Sequence, residues 1–137
     1  MKHISVLIVD DCRIDRYILK RQLKKIGVVE VIEKDDGSSA LDFLENYEEN
    51  RTLYGDNFPP IIIFLDINMP EIGGFEFLEK FAELRKRLAL MSCVIMMYSS
   101  SERVEDKERA ASFDFVKSYL TKGETDIEGL KQKIDSL

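Results

Sequence analysis

The sequence predicts an α/β fold: a five-stranded parallel sheet in the order 2-1-3-4-5, with helices on both faces. Three observations carry this. Apolar stretches of strand length alternate five times with stretches of helical spacing, the pattern of a parallel sheet with crossover helices. Three of these stretches, residues 4–9, 61–66 and 93–98, are almost continuously apolar, as strands buried on both faces must be. The other two, 28–33 and 115–120, carry polar interruptions and belong at the edges. Right-handed crossovers then satisfy this with the order 2-1-3-4-5.

Residues 4–9 hold Ser5 within an apolar run and end at Asp10-Asp11. A helix over 13–26 follows, with Ile18, Leu19, Leu23 and Ile26 on one face and Lys/Arg on the other; Gly27 ends it. In the second strand Val29 and Val31 point one way and Glu30 the other. Asp35-Asp36-Gly37 is a turn, and 38–47 a helix with Ala40, Leu41, Phe43 and Leu44 inward. Residues 48–60 read as a polar loop, long for a compact domain and closed by Pro59-Pro60. The third strand runs into Asp66, then Pro70 and Gly73-Gly74. The next helix reaches about residue 88 and packs Phe77, Leu78, Phe81, Leu84 and Leu88. Cys93 opens the fourth strand as a small core residue, and Ser99-Ser100-Ser101 end it. Residues 102–112 are helical by propensity, yet Val104, Ala110 and Ala111 are nearly all they can bury, so this helix is weakly fastened. Lys117 and Ser118 interrupt the fifth strand, which Thr121-Lys122-Gly123 closes. Thr125 and Glu128 form a capping box for the last helix, whose stripe is Ile127, Leu130 and Ile134.

At 137 residues the chain is expected to be one domain, 1–137, with no output domain. No apolar run approaches a membrane span, and the one after Met1-Lys2-His3 is too short for a signal peptide; a cytoplasmic protein without membrane insertion is expected. The net charge of −6 speaks against direct nucleic-acid contacts. Cys12 and Cys93 are too few and too scattered for a disulfide framework or zinc site. His3, the only histidine, is terminal, which argues against Ser-His-Asp, Cys-His and histidine-metal chemistry.

The carboxyl ends of the strands carry the chemistry: Asp10-Asp11, Asp66, Ser99 and Thr121-Lys122. All share one rim, at the switch point between the first and third strands where open α/β sheets bind ligands. Each member has a plainer explanation. Asp10 or Asp11 could cap the first helix, Ser99 with Glu102 matches a capping box, and Lys122 could be a solvated lysine. Their joint placement favours a site. Clustered carboxylates need a cation, and oxygen-only ligands suit Mg²⁺. A metal, a lysine and a hydroxyl beside an aspartate handle phosphate, and the carboxylate can attack phosphorus to give an acyl phosphate.

These residues resemble a single-domain response-regulator receiver of two-component signalling, chemotaxis-regulator-like, over essentially the whole chain. The matching features are Asp10-Asp11 after Val6-Leu7-Ile8-Val9, Leu65-Asp66-Ile67-Asn68-Met69-Pro70 with Gly74, Ser99, Tyr119 and Lys122. Chemotaxis receivers have the same strand order. The resemblance implies that Asp66 accepts a phosphoryl group from a histidine kinase. It implies Mg²⁺ held by Asp11, Asp66 and the backbone carbonyl of Asn68, with Asp10 acting mainly through water. Ser99 and Lys122 would engage the phosphoryl group, and Tyr119 would turn inward as Ser99 moves. Such a switch catalyses its own phosphorylation and dephosphorylation. Its state is expected to be read by a downstream protein on the 4-5-5 face (fourth helix, fifth strand, fifth helix), which is also the candidate surface for a homodimer. One departure stands out. Gly123 follows Lys122 where the family has proline after a cis bond; without proline a cis bond is costly, so a looser lysine loop is expected.

Three other functions compete. A relay would pass the phosphoryl group from Asp66 to a histidine phosphotransfer protein. An Asp-nucleophile phosphohydrolase expects an acid where Asn68 stands. A phosphorylation-independent adaptor would not need the acidic pair, Asp66 and Lys122.

Overall fold

In the computed structural model, which describes residues 4–137, five parallel strands form one sheet in the order β2-β1-β3-β4-β5. His3 and the residues before it lie outside the described part. The strands are β1 (Ser5–Val9), β2 (Glu30–Lys34), β3 (Ile62–Leu65), β4 (Val94–Ser99) and β5 (Val116–Thr121). The helices are α1 (Arg13–Lys25), α2 (Gly37–Glu45), α3 (Tyr47–Tyr54), α4 (Gly74–Arg87), α5 (Val104–Ala111) and α6 (Ile127–Asp135).

The alternation of side chains along each strand divides the core into two layers. Leu7, Val9, Ile63, Leu65, Ile95 and Met97 face the layer that holds Phe43, Phe77 and Phe81 from α2 and α4. Val6, Ile8, Ile62, Phe64, Met96 and Tyr98 face Leu19 and Leu23 of α1 and Leu130 and Ile134 of α6. The continuous apolar runs of β1, β3 and β4 arise because both faces are covered. β5, at an edge, keeps only Leu120 fully buried.

Several expectations are corrected. Residues 48–60 are not a loop: they hold α3 and a 3-10 turn, Gly55–Asn57. Tyr47, Asn50 and Tyr54 recur at helical spacing; Tyr47 packs on Phe58 with ring centroids 5.3 Å apart, and Tyr54 packs on Phe43 at 5.9 Å. Among the described residues six helices therefore cover the sheet, and the face expected to report the switch is α5-β5-α6. The second strand starts only at Glu30, so Val29 precedes it and is exposed, while Val31 and Ile32 are buried on opposite sides. Ile18 is exposed, so the buried stripe of α1 is narrower than its spacing implies. The caps also shift. Asp126, not Thr125, caps α6 and accepts from Gly129 N at 2.7 Å, and Arg103 occupies the N-cap of α5, without a side-chain cap bond. Among the described residues the one cis peptide is Phe58–Pro59, so the Lys122–Gly123 bond is trans, as expected without proline.

Candidate functional site

Register brings the acids together. Val9 and Leu65 are partners in the β1–β3 ladder, so Asp10 and Asp66 emerge side by side from adjacent central strands. Asp66 N donates to Val9 O at 3.0 Å and Asp10 N to Lys34 O at 3.1 Å, extending the ladders into the site. Asp10 and Asp66 are buried and Asp11 is exposed; one carboxylate oxygen from each lies within 4.8 Å of the others. Neither Asp10 nor Asp11 is the N-cap of α1, a place taken by Cys12. Asp10 instead accepts from Cys12 N through Oδ1 at 2.9 Å, which organises the turn into the helix.

Lys122 enters from β5. Ser99 and Thr121 are ladder partners, and Lys122 N donates to Ser99 O at 2.9 Å. The Lys122 ammonium lies 2.8 Å from Asp10 Oδ2, 2.8 Å from Asp15 Oδ2 and 3.4 Å from Asp66 Oδ2. Burial works against its charge, but Asp10, Asp15 and Asp66 more than offset this and raise its pKa. Burial is also the main influence on Asp66. With repulsion from Asp10 it outweighs the attraction of Lys122 and the backbone of Asn68, and the carboxyl is pushed up to about 6. A carboxylate desolvated on a rigid strand end and poised near neutrality suits a nucleophile.

Ser99 is fully buried, and its Oγ accepts from Ser101 N at 3.2 Å. The Tyr119 hydroxyl donates to Ser101 O at 2.9 Å. Ser101 Oγ also donates to Asp106 of α5 at 2.6 Å. Ser101 thus joins Ser99, Tyr119 and α5, a connection absent from the sequence reading. Asn68 stands exposed two residues beyond Asp66, on the loop leading to α4. Asp15, also missed, belongs to the site through Lys122. Its signal was an acid in the first turn of the helix that starts at the site.

The residues fit a hard divalent cation. The donors are all carboxylate oxygens, and Asp10 Oδ2 is buried without a hydrogen bond although Lys122 lies close.

The chain is similar to known proteins over nearly its whole length. A family model, the response regulator receiver domain, matches residues 6–135. The chain is 30% identical over 111 residues to the chemotaxis protein CheY of Bacillus subtilis, covering 81% of this chain and 82% of that protein. It is 29% identical over 133 residues to the histidine kinase CKI1 of Arabidopsis thaliana, covering 96% of this chain but only 12% of the kinase. The solved receiver domain of that kinase, complexed with Mg²⁺ and BeF₃⁻, superposes with a TM-score of 0.79 at 28% identity, covering 98% of this chain and 91% of that one. The chain belongs to the response regulator receiver domain family of two-component signalling.

Proposed function

We propose that the chain is a phospho-switch in which Asp66 is the phosphoryl acceptor. The observation that carries this is the convergence of Asp10, Asp11 and Asp66 with Lys122 at the carboxyl rim of the sheet. An Asp66 oxygen attacks the phosphorus of a phosphohistidine on a kinase or histidine phosphotransfer protein. The new P–O bond forms as the P–N bond breaks, and the histidine nitrogen leaves with the electron pair. Hydrolysis reverses the modification: water attacks phosphorus and the Asp66 carboxylate leaves. Asp11, Asp66 and the Asn68 carbonyl would hold Mg²⁺, with Asp10 acting mainly through water; when bound, the ion neutralises charge on the phosphoryl oxygens.

Lys122 supplies the remaining positive charge and needs little movement to meet an oxygen of the phosphoryl group. Ser99 supplies a hydroxyl, but to donate it must approach the phosphoryl group, which draws on the Ser101 strand end. That pull reaches Tyr119 and α5 together, because Ser101 binds both. The α5-β5-α6 face is the surface a downstream protein would read, and the candidate homodimer surface. Ile14, Tyr17 and Ile18 are exposed along α1, beside the site, and offer apolar area to a phosphodonor. A relay that hands the phosphoryl group onward uses the same chemistry at Asp66.

The test is phosphorylation by acetyl phosphate, or beryllofluoride binding, with Mg²⁺ present. Wild type should respond and Asp66→Asn should not. Equal behaviour of the two proteins would remove the assignment.

A further inference from the structure

We propose that Asp15 is a positioning residue for Lys122: from the first turn of α1 its carboxylate fixes the lysine ammonium over Asp66. This rests on the reading of Asp66 as phosphoryl acceptor.

Asp10 and Asp15 both lie 2.8 Å from the Lys122 ammonium, and the ammonium donates to Asp15 Oδ2. Asp66, at 3.4 Å, is the most distant of the three. One of the two shortest carboxylate contacts of the lysine is therefore to a residue outside the cluster of Asp10, Asp11 and Asp66.

Next comes the support on each side. Asp15 stands on a fixed helix. α1 buries Leu19 and Leu23, and Arg16 ties it to Asp10 O at 2.7 Å and to Glu33 at 3.2 Å. Lys122 stands at the first position of a turn beyond β5, with its N–H bonded to Ser99 O at 2.9 Å. The next residue is Gly123, at φ +83° with open space around it, where no proline ring limits the backbone. A four-carbon stem on such a loop needs an external anchor to hold its charge in one place. Gln22, further along α1, donates to Thr125 O at 3.3 Å and secures the far end of the same loop.

The consequence is specific. An ammonium has three donors. Asp15 takes one and holds the nitrogen in place, 3.4 Å from Asp66 Oδ2. Asp10 is within reach of a second, and the third is left for an oxygen of a phosphoryl group on Asp66.

The experiment uses the full chain with beryllofluoride and Mg²⁺, comparing wild type with Asp15→Asn, Asp15→Ser and Asp15→Glu. The amide signals of residues 121–125 and the Lys122 ammonium signal are recorded separately without metal. Asp15→Asn and Asp15→Ser should bind beryllofluoride about five- to tenfold more weakly, the worth of one charge-assisted hydrogen bond at a partly buried site. Asp15→Glu should recover most of the affinity, and the metal-free Lys122 signals should shift in the neutral variants. A purely structural role would lower Tm and leave the affinity of folded protein unchanged. Affinity equal to wild type in the neutral variants overturns the proposal, and so does tighter binding, which would mean that Asp15 withholds the lysine. Should wild type itself not bind, the acceptor reading of Asp66 falls, while the metal-free signals still report on Asp15.

Discussion

Asp66 is 5% exposed and carries the least comfortable charge in the site. Its carboxyl moves from 3.8 in the unfolded chain to about 6, because burial and Asp10 together exceed the pull of Lys122. The folded state therefore holds that proton more tightly than the unfolded one. This contributes stability that is full below the unfolded value of 3.8 and is lost as pH rises through about 6. Metal-free wild type should accordingly lose stability relative to Asp66→Asn between pH 4 and 7, by on the order of 2 kcal/mol. Paired urea titrations across that range would check it, and a difference independent of pH would refute it. Gly74 guards the same residue from behind: a Cβ there would stand 2.5 Å from Asp66 O and 2.8 Å from Ile67 Cα. Backbone cannot yield as a side-chain tip can, so Gly74→Ala should cost about 1–3 kcal/mol and slow acetyl-phosphate labelling as Asp66 shifts. A stability and labelling rate equal to wild type would show that the loop relaxes freely. Asp10, Asp11, Asp66 and Lys122 were legible in the sequence because each ends or follows a strand, and strand ends in a parallel sheet share a rim. Asp15 and Ser101 were not, since their roles depend on where a helix turn and a loop point, which periodicity does not encode.

Among the elements, α5 is weakly held. Ala110 is its only buried residue, and much of its anchorage is polar, through Ser101 to Asp106 and the Lys107 ammonium over the Tyr119 ring at 5.7 Å. Amides of residues 104–111 should exchange with solvent well before those of α1 or α4, and beryllofluoride should alter their protection more than that of any other helix. Unchanged protection in α5 on activation would refute the proposed coupling through Ser101. This helix was legible as weak from its composition, and the strands were legible because burial on both faces leaves an unbroken apolar signature. α3 was not. It buries an asparagine and half-buries two tyrosines rather than aliphatic residues, so its inward face looks polar in the sequence. The Asn50 side chain donates to Phe43 O at 2.5 Å in a buried position, joining α3 to α2. Asn50→Ala should cost about 1–3 kcal/mol by leaving that carbonyl without its partner. A denaturation midpoint equal to wild type would show that water takes over the bond.

For the molecule as a whole, two apolar layers hold a cluster of like charges at one end of the sheet. The chain carries a net charge of −6, and three of its acids converge within 4.8 Å. Folding therefore brings together carboxylates that the unfolded chain keeps apart, and Lys122 offsets only part of the repulsion. A divalent cation that binds this arrangement and not the unfolded chain stabilises the protein by mass action, by about 2.7 kcal/mol at one hundred times its dissociation constant. Mg²⁺ should thus raise Tm by several degrees beyond what NaCl of equal ionic strength achieves. Asp11 is the informative position, because it is exposed and no packing depends on it. Asp11→Asn should be at least as stable as wild type without metal, since one repelling charge is gone, and should lose most of the Mg²⁺ increment. The two variants Asp11→Asn and Asp66→Asn would then respond alike to metal although one site is exposed and the other buried, because each removes a ligand from the same cluster. A Tm increment that survives in Asp11→Asn would mean that the ion acts on the general surface charge and that the cluster is not its site.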